Sequence, residues 1–169
     1  MHRISVLALA LALALAAGAA QAQLTPPDPD WKEAQAPPPP VLQTERLIRI
    51  DLPESALRFG VDPASIAVTS DGIVRYVVVA ASSTGVVNAL YEGIRCNTGE
   101  VRVYARHNPD KGWVQMTDSP WRSLYETRPS RHSLMIARTG ACIGNAPNQS
   151  AAQIVRDLGG SVNWRFWNQ

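Results

Sequence analysis

The sequence predicts an α+β fold, an antiparallel β-meander sheet with one short C-terminal helix. Three observations predict it. Val74–Ala81 (VRYVVVAA) is dense in β-branched and aromatic residues, which suit a pleated surface. Turn signals at Ser82-Ser83-Thr84-Gly85 and Thr98-Gly99 divide Asp71–His107 into three strands, with glycine free to take the positive φ of a tight hairpin. Ser150-Ala151-Ala152-Gln153 has capping-box spacing, and Ile154, Val155 and Leu158 then lie on one face of a helix stopped by Gly159-Gly160.

The chain starts MHRISVLALALALALAAGAAQAQ, a basic Arg3, an apolar run from Ile4 to Ala17, and small residues at Ala20 and Ala22. That is the pattern of a secretory signal with an A-x-A site, so residues 1–22 are expected to be removed by a cut after Ala22. No Cys stands near the site, and no later segment is apolar for long enough to span a bilayer. The mature chain is expected in the periplasm.

Gln23–Pro40 is proline-rich without hydrophobic periodicity, so residues 23–45 are expected to form a flexible lead. Trp31 is its one sticky point, expected to dock on the domain if any part of the lead does. Residues 46–169 are expected to be a single domain. Leu47–Leu52 and Ser65–Thr69 have strand character on either side of a turn at Asp62-Pro63. After the meander, Asn108–Gly112 is a turn and Trp113–Met116 a short strand. Ser119-Pro120-Trp121 starts a loop or helical turn, and His132–Arg138 fits a strand or a helix. The tail, Val162–Trp167, is aromatic.

The turns set the expected registers. Closing the first hairpin tightly puts Ala81 opposite Val86, Arg75 opposite Glu92 and Tyr76 opposite Tyr91. The second puts Cys96 opposite Val101 and Ile94 opposite Val103. Alternation then separates a core face, including Val77, Val79, Leu90, Ile94 and Val103, from a basic and aromatic one. The second face carries Tyr76, Tyr91, Arg95, Arg102, Tyr104 and Arg106 as a candidate binding surface. Tyr and Arg are enriched at interface hot spots, although aromatic residues more often fill cores or are covered by other elements. Arg95 would oppose Arg102, an unfavourable pair unless Glu100 intervenes, an anion binds, or the register differs.

The pieces FGVDPASIAVTSDGIVRYVVV, YEGIRC, EVRVYA and GW together resemble the CNP-like family, the "cryptic neisserial protein" group of small exported proteobacterial proteins. The likeness runs from about Leu47 to Cys142 and is most specific at Asp71–Tyr76 and Tyr91–Cys96. It implies an exported single domain and carries neither an activity nor a catalytic residue across.

Cys96 and Cys142 are the only cysteines, and in an oxidising compartment a disulfide is the default over free or metal-binding thiols. Closing such a loop contributes at most about 4 kcal/mol. His107 and His132 remain after processing, with no HExxH, no CxxC and no close carboxylates, so metal and cofactor are both expected to be absent. Asp62, Asp71, Glu92, Glu100, Asp110 and Asp118 could supply a general acid and base, as in any protein of this size. No G-x-S-x-G occurs, and pairing Cys142 with His132 as a nucleophile competes with the disulfide.

Removal of Arg3 leaves 15 basic and 14 acidic residues, a balance that argues against nucleic acid as a partner. The expected function is a non-catalytic binding or structural module of the cell envelope, meeting an envelope protein or a glycan. The alternative is a small cell-wall or envelope hydrolase with a carboxylate or cysteine site. Composition does not choose an oligomeric state, though exposed strand edges can pair two copies.

Overall fold

The computed structural model describes residues 28–126 and 131–160. The expected signal segment and the tryptophans of the tail, Trp164 and Trp167, lie outside the described residues. The fold is α+β, a mostly antiparallel sheet with short helices on one face.

Eight strands build the sheet: β1 (Ile48–Ile50), β2 (Arg58–Val61), β3 (Ala67–Val68), β4 (Ile73–Ala81), β5 (Val87–Arg95), β6 (Glu100–Asn108), β7 (Gly112–Gln115) and β8 (Arg122–Ser123). The strand order is β1-β2-β4-β5-β6-β7, with β3 continuing the β2 edge of β4 and β8 pairing the start of β6. Between β2 and β3 the chain makes a 3-10 turn, Pro63–Ser65, capped by Asp62, whose carboxylate accepts from the Ala64 amide at 2.9 Å. There the Ser65 hydroxyl accepts from the Val77 amide at 2.8 Å, replacing the ladder bond that the turn interrupts.

Beyond β8 come α1 (Arg131–Ile136), a π turn (Ala137–Ala141), the small hairpin β9 (Cys142–Ile143) with β10 (Ala146–Pro147), and α2 (Ala151–Gly159). The ambiguous 132–138 stretch is therefore helical. At α2 the Ser150 hydroxyl accepts from the Gln153 amide at 3.2 Å, half of the expected capping box. The Gln153 side chain turns instead to Asp157. Ile136, Ala141, Ile154 and Leu158 bury against Val61, Val74, Tyr76, Val78, Ile94 and Val101. Each aliphatic side chain fully buried there contributes roughly 1.5–3 kcal/mol.

Cys96 and Cys142 form a disulfide, their Cα atoms 5.7 Å apart, joining the end of β5 to the helical layer. The short strands β2, β8, β9 and β10, each of two to four residues, have no counterpart in the sequence reading.

The first expected register is off by one residue and the second by two. The first hairpin loop includes Val86, whose amide donates to the Ser82 hydroxyl at 3.0 Å while its carbonyl accepts from the Ser82 amide. Ala81 consequently pairs with Val87, Tyr76 with Glu92 and Arg75 with Gly93. The second loop spans residues 96–99, so Ile94 pairs with Val101 and Arg95 with Glu100, which removes the like-charge clash. The one-residue slip exchanges the face of β4 relative to β5, whereas the two-residue slip leaves β5 and β6 in phase.

Candidate functional site

The corrected registers give the sheet two polar networks, one on each face. Arg75 and Tyr76 are adjacent on β4 and so point to opposite sides.

On the face away from the helices, Arg75 is fully buried and pairs with Asp71 at 2.9 Å. Its guanidinium also donates to the Thr69 hydroxyl, and that hydroxyl donates to Asp71. Burial pushes the Asp71 carboxyl up, but the hydrogen bonds from Arg75 and Thr69 outweigh it and hold the group at about 2. Gly72 takes φ +78 in the turn that places Asp71 beneath Arg75.

The lead lies across this face. Trp31 sits over the Arg95 guanidinium at 3.6 Å and donates its indole N–H to the Asp71 carbonyl at 2.8 Å. Glu33 accepts from Arg102 and from the Tyr104 hydroxyl, each at 2.7 Å, and from the Trp121 indole at 3.2 Å. Arg75 lies 3.8 Å from the same carboxylate. Further along, Ala36, Leu42 and Leu47 pack on Val77, Val79, Ala89, Tyr91 and Trp113. Burial and the bond to Glu33 together raise the Tyr104 phenol above its usual range.

Tyr104 reaches Glu33 by crossing Gly93, where an added Cβ would meet its ring at 2.7 Å. It is also the extra residue of a β-bulge, since Tyr91 pairs with Ala105 and Glu92 with Val103. The bulge shifts the phase of β6, so Arg106 leaves the face that Arg102 and Tyr104 share and pairs with Leu90 on the other side. Of the six residues expected on one surface, Tyr91, Arg95, Arg102 and Tyr104 come together. Tyr76 and Arg106 face the helical side, Tyr76 because of the register slip and Arg106 because of the bulge.

On the helical side, Glu92 is 2% exposed and accepts from Tyr76 at 2.8 Å, Ser133 at 3.0 Å and the His132 ring at 3.0 Å. Burial pushes the Glu92 carboxyl up, but His132 and the two hydroxyls hold it below the usual carboxylate range. Burial pushes His132 down, and the Glu92 charge more than reverses that, leaving His132 raised. Phe59 stacks on the imidazole at 5.1 Å. Both α1 donors meet the carboxylate itself, so the three groups form a saturated carboxylate site rather than a nucleophile–base–orienter chain.

Two hollows border this quartet and share Leu90, Arg106 and Met116 in their linings. The larger, about 1030 Å3, is bordered by Leu57, Phe59, Arg106, Val114, Arg131 and His132. The smaller, about 220 Å3, reaches Glu92 and Ser133 and is bordered by Arg106, Met116 and Arg122.

The other candidate carboxylates are dispersed: Asp62 caps its turn, Glu100 pairs Arg95 at 3.9 Å, and Asp110 and Asp118 lie in turns. Cys142 has its sulfur in the disulfide, which leaves the cysteine form of the hydrolase alternative without a nucleophile. Among the described residues, no three His, Cys, Asp or Glu side chains cluster as a metal ion requires, and no helix is long and apolar enough to cross a membrane.

Sequence reasoning singled out Trp31 as a point of docking, which the contacts to Asp71 and Arg95 bear out. It missed Glu33 and the place of Arg75 on one face, and the grouping of Glu92, His132 and Ser133 on the other. A signal for the first was present. Trp31 and Glu33 are two residues apart in an extended segment, so they share a side, opposite charge to the arginines. For the second there was none, because His132 and Ser133 reach Glu92 across 40 residues.

The model of the CNP1-like family matches residues 27–159, and the chain belongs to that family. The match takes in the lead from residue 27, well before the Leu47 at which the sequence resemblance started. Neither a curated protein nor a solved structure shows a significant match to the chain.

Proposed function

We propose that this member of the CNP1-like family is an exported, non-catalytic module of the cell envelope that binds an envelope protein or glycan in the groove beside His132. One observation carries the binding reading. The groove is large and open, and the His132 ring on its border is engaged by Glu92, a carboxylate already saturated by three donors. The groove offers two guanidinium groups, Arg106 and Arg131, beside the exposed apolar side chains of Leu57 and Val114. Such a lining suits a partner with an anionic group next to an apolar one. Export is supported by the signal-like start of the chain and by the disulfide, which persists in oxidising compartments.

The test uses the chain from Gln23 as bait for an envelope extract, beside Arg106→Ala/Arg131→Ala. A component held by the first and lost with the second would be identified and titrated against the purified chain. Equal retention by both would place binding elsewhere, and turnover of a captured glycan would replace the binding reading with an enzymatic one.

A further inference from the structure

The lead is held in the manner of a bound peptide. Its contacts along residues 31–40 run to the sheet: Trp31 and Ala34 donate to Asp71, Ala34 accepts from Arg75, Glu33 accepts from Arg102 and Tyr104, and Pro40 accepts from the Trp113 indole at 2.8 Å. It adds no strand to the sheet, and Pro37–Pro40 keep it extended. Recognition rests on two side chains two residues apart, an indole on Arg95 and a carboxylate among Arg102, Tyr104 and Trp121. Asp71 pairs with Arg75 and Glu100 with Arg95, so Glu33 is the carboxylate that answers Arg102. Arg75, Arg95 and Arg102 all lie on this face, and each has a buried Nε–H with no hydrogen-bond partner.

The connection to β1 is suited to opening. Residues 43–46 are exposed, and Arg46 holds φ +56, a left-handed conformation that a non-glycine residue rarely takes. Straightening this hinge relieves the strain while every contact of the lead can be remade on another molecule. Exchange of an identical element between protomers follows that logic, with hinge strain and concentration deciding between the open and closed forms.

We propose that the Tyr91–Arg95–Arg102–Tyr104 face is a peptide-binding surface that reads Trp-x-Glu in an extended segment, and that the lead of a second copy of this chain fills it by arm exchange. This surface is on the opposite side of the sheet from the groove and stands whether or not the groove binds a partner.

Two mature chains test it by complementation. Trp31→Ala/Glu33→Ala keeps the face and disables the arm, whereas Arg95→Ala/Arg102→Ala keeps the arm and disables the face. The expected result by sedimentation is that each alone is a monomer and the mixture gives a one-to-one heterodimer. Combining all four substitutions in the arm-donating chain should abolish it. A mixture that remains monomeric, with both chains retaining their circular dichroism, overturns the proposal.

Should either variant fail to fold, an otherwise unaltered chain with a protease site between Gln43 and Thr44 decides. After cleavage, a labelled peptide of residues 27–43 should replace the resident segment saturably. The same peptide with Trp31→Ala and Glu33→Ala should bind roughly 100-fold more weakly, two hot-spot contacts of about ten-fold each. No replacement by excess peptide, or equal binding of the two peptides, would refute peptide recognition.

Discussion

The two polar networks are built on neighbouring residues of one strand, yet they differ in who supplies the carboxylate. On the helical side, Glu92 belongs to the central strand β5 and its donors come from β4 and α1. On the other side, Glu33 belongs to a lead that is neither helix nor strand, and its side chain is 18% exposed. Both carboxylates accept from a tyrosine and from cationic or ring N–H donors, so their local chemistry is alike. Their consequences are not. A carboxylate on a core strand leaves only when the sheet unfolds, whereas one on a lead can depart with the lead while the strands persist. Arg75 is held at 2.9 Å by Asp71, with Glu33 farther off at 3.8 Å.

That contrast is open to direct attack. Glu92→Ala should have the largest effect, about 3–5 kcal/mol in urea unfolding, because it strands His132 and two hydroxyls without a partner. A loss under about 1 kcal/mol would mean that water reaches this site and that the two networks are equivalent. Glu33→Ala should cost less, about 1–2 kcal/mol, with the chain still folded and the emission of Trp31 moved toward that of an exposed indole. If it costs as much as the Glu92 change, the lead is a core element and the distinction between the faces fails.

The smallest effect separates the networks by pH. Glu92 is held below its ordinary 4.5, so its contribution is present above that value and is lost as pH falls through the lowered one. His132 is held above its ordinary 6.5, so its contribution is complete below 6.5 and fades as pH rises through the raised one. The pair therefore stabilises most between 4.5 and 6.5. Asp71, at about 2 against 3.8, stabilises from 3.8 upward and is unaffected at the alkaline end. Melting temperature should decline above pH 6.5, and His132→Gln should flatten that limb alone. An unchanged alkaline limb in the variant would rule out His132 as its source.

The segments that carried the family resemblance turn out to supply both networks. Asp71, Gly72, Arg75 and Tyr76 come from the first; Tyr91, Glu92, Gly93, Arg95 and Cys96 come from the second. Sequence reading identified these residues and most of the long strands, but assigned Tyr76 and Arg106 to the wrong side. The cause is local. Alternation has a period of two, so one extra loop residue at Val86 flips a strand, and one bulge at Tyr104 flips the end of another.

The α+β class, the three central strands, the C-terminal helix and the pair of cysteines available to join were legible in the residues alone. Those follow from composition, periodicity and turn chemistry, which act over a few residues. Packing of the whole chain settles which side of the sheet each polar residue serves, brings Trp31 and Glu33 over the arginines, and joins His132 and Ser133 to Glu92. These depend on loop lengths, a bulge and contacts across 40 residues or more, where a single-residue change in register is invisible to local pattern but reverses the chemistry of a face.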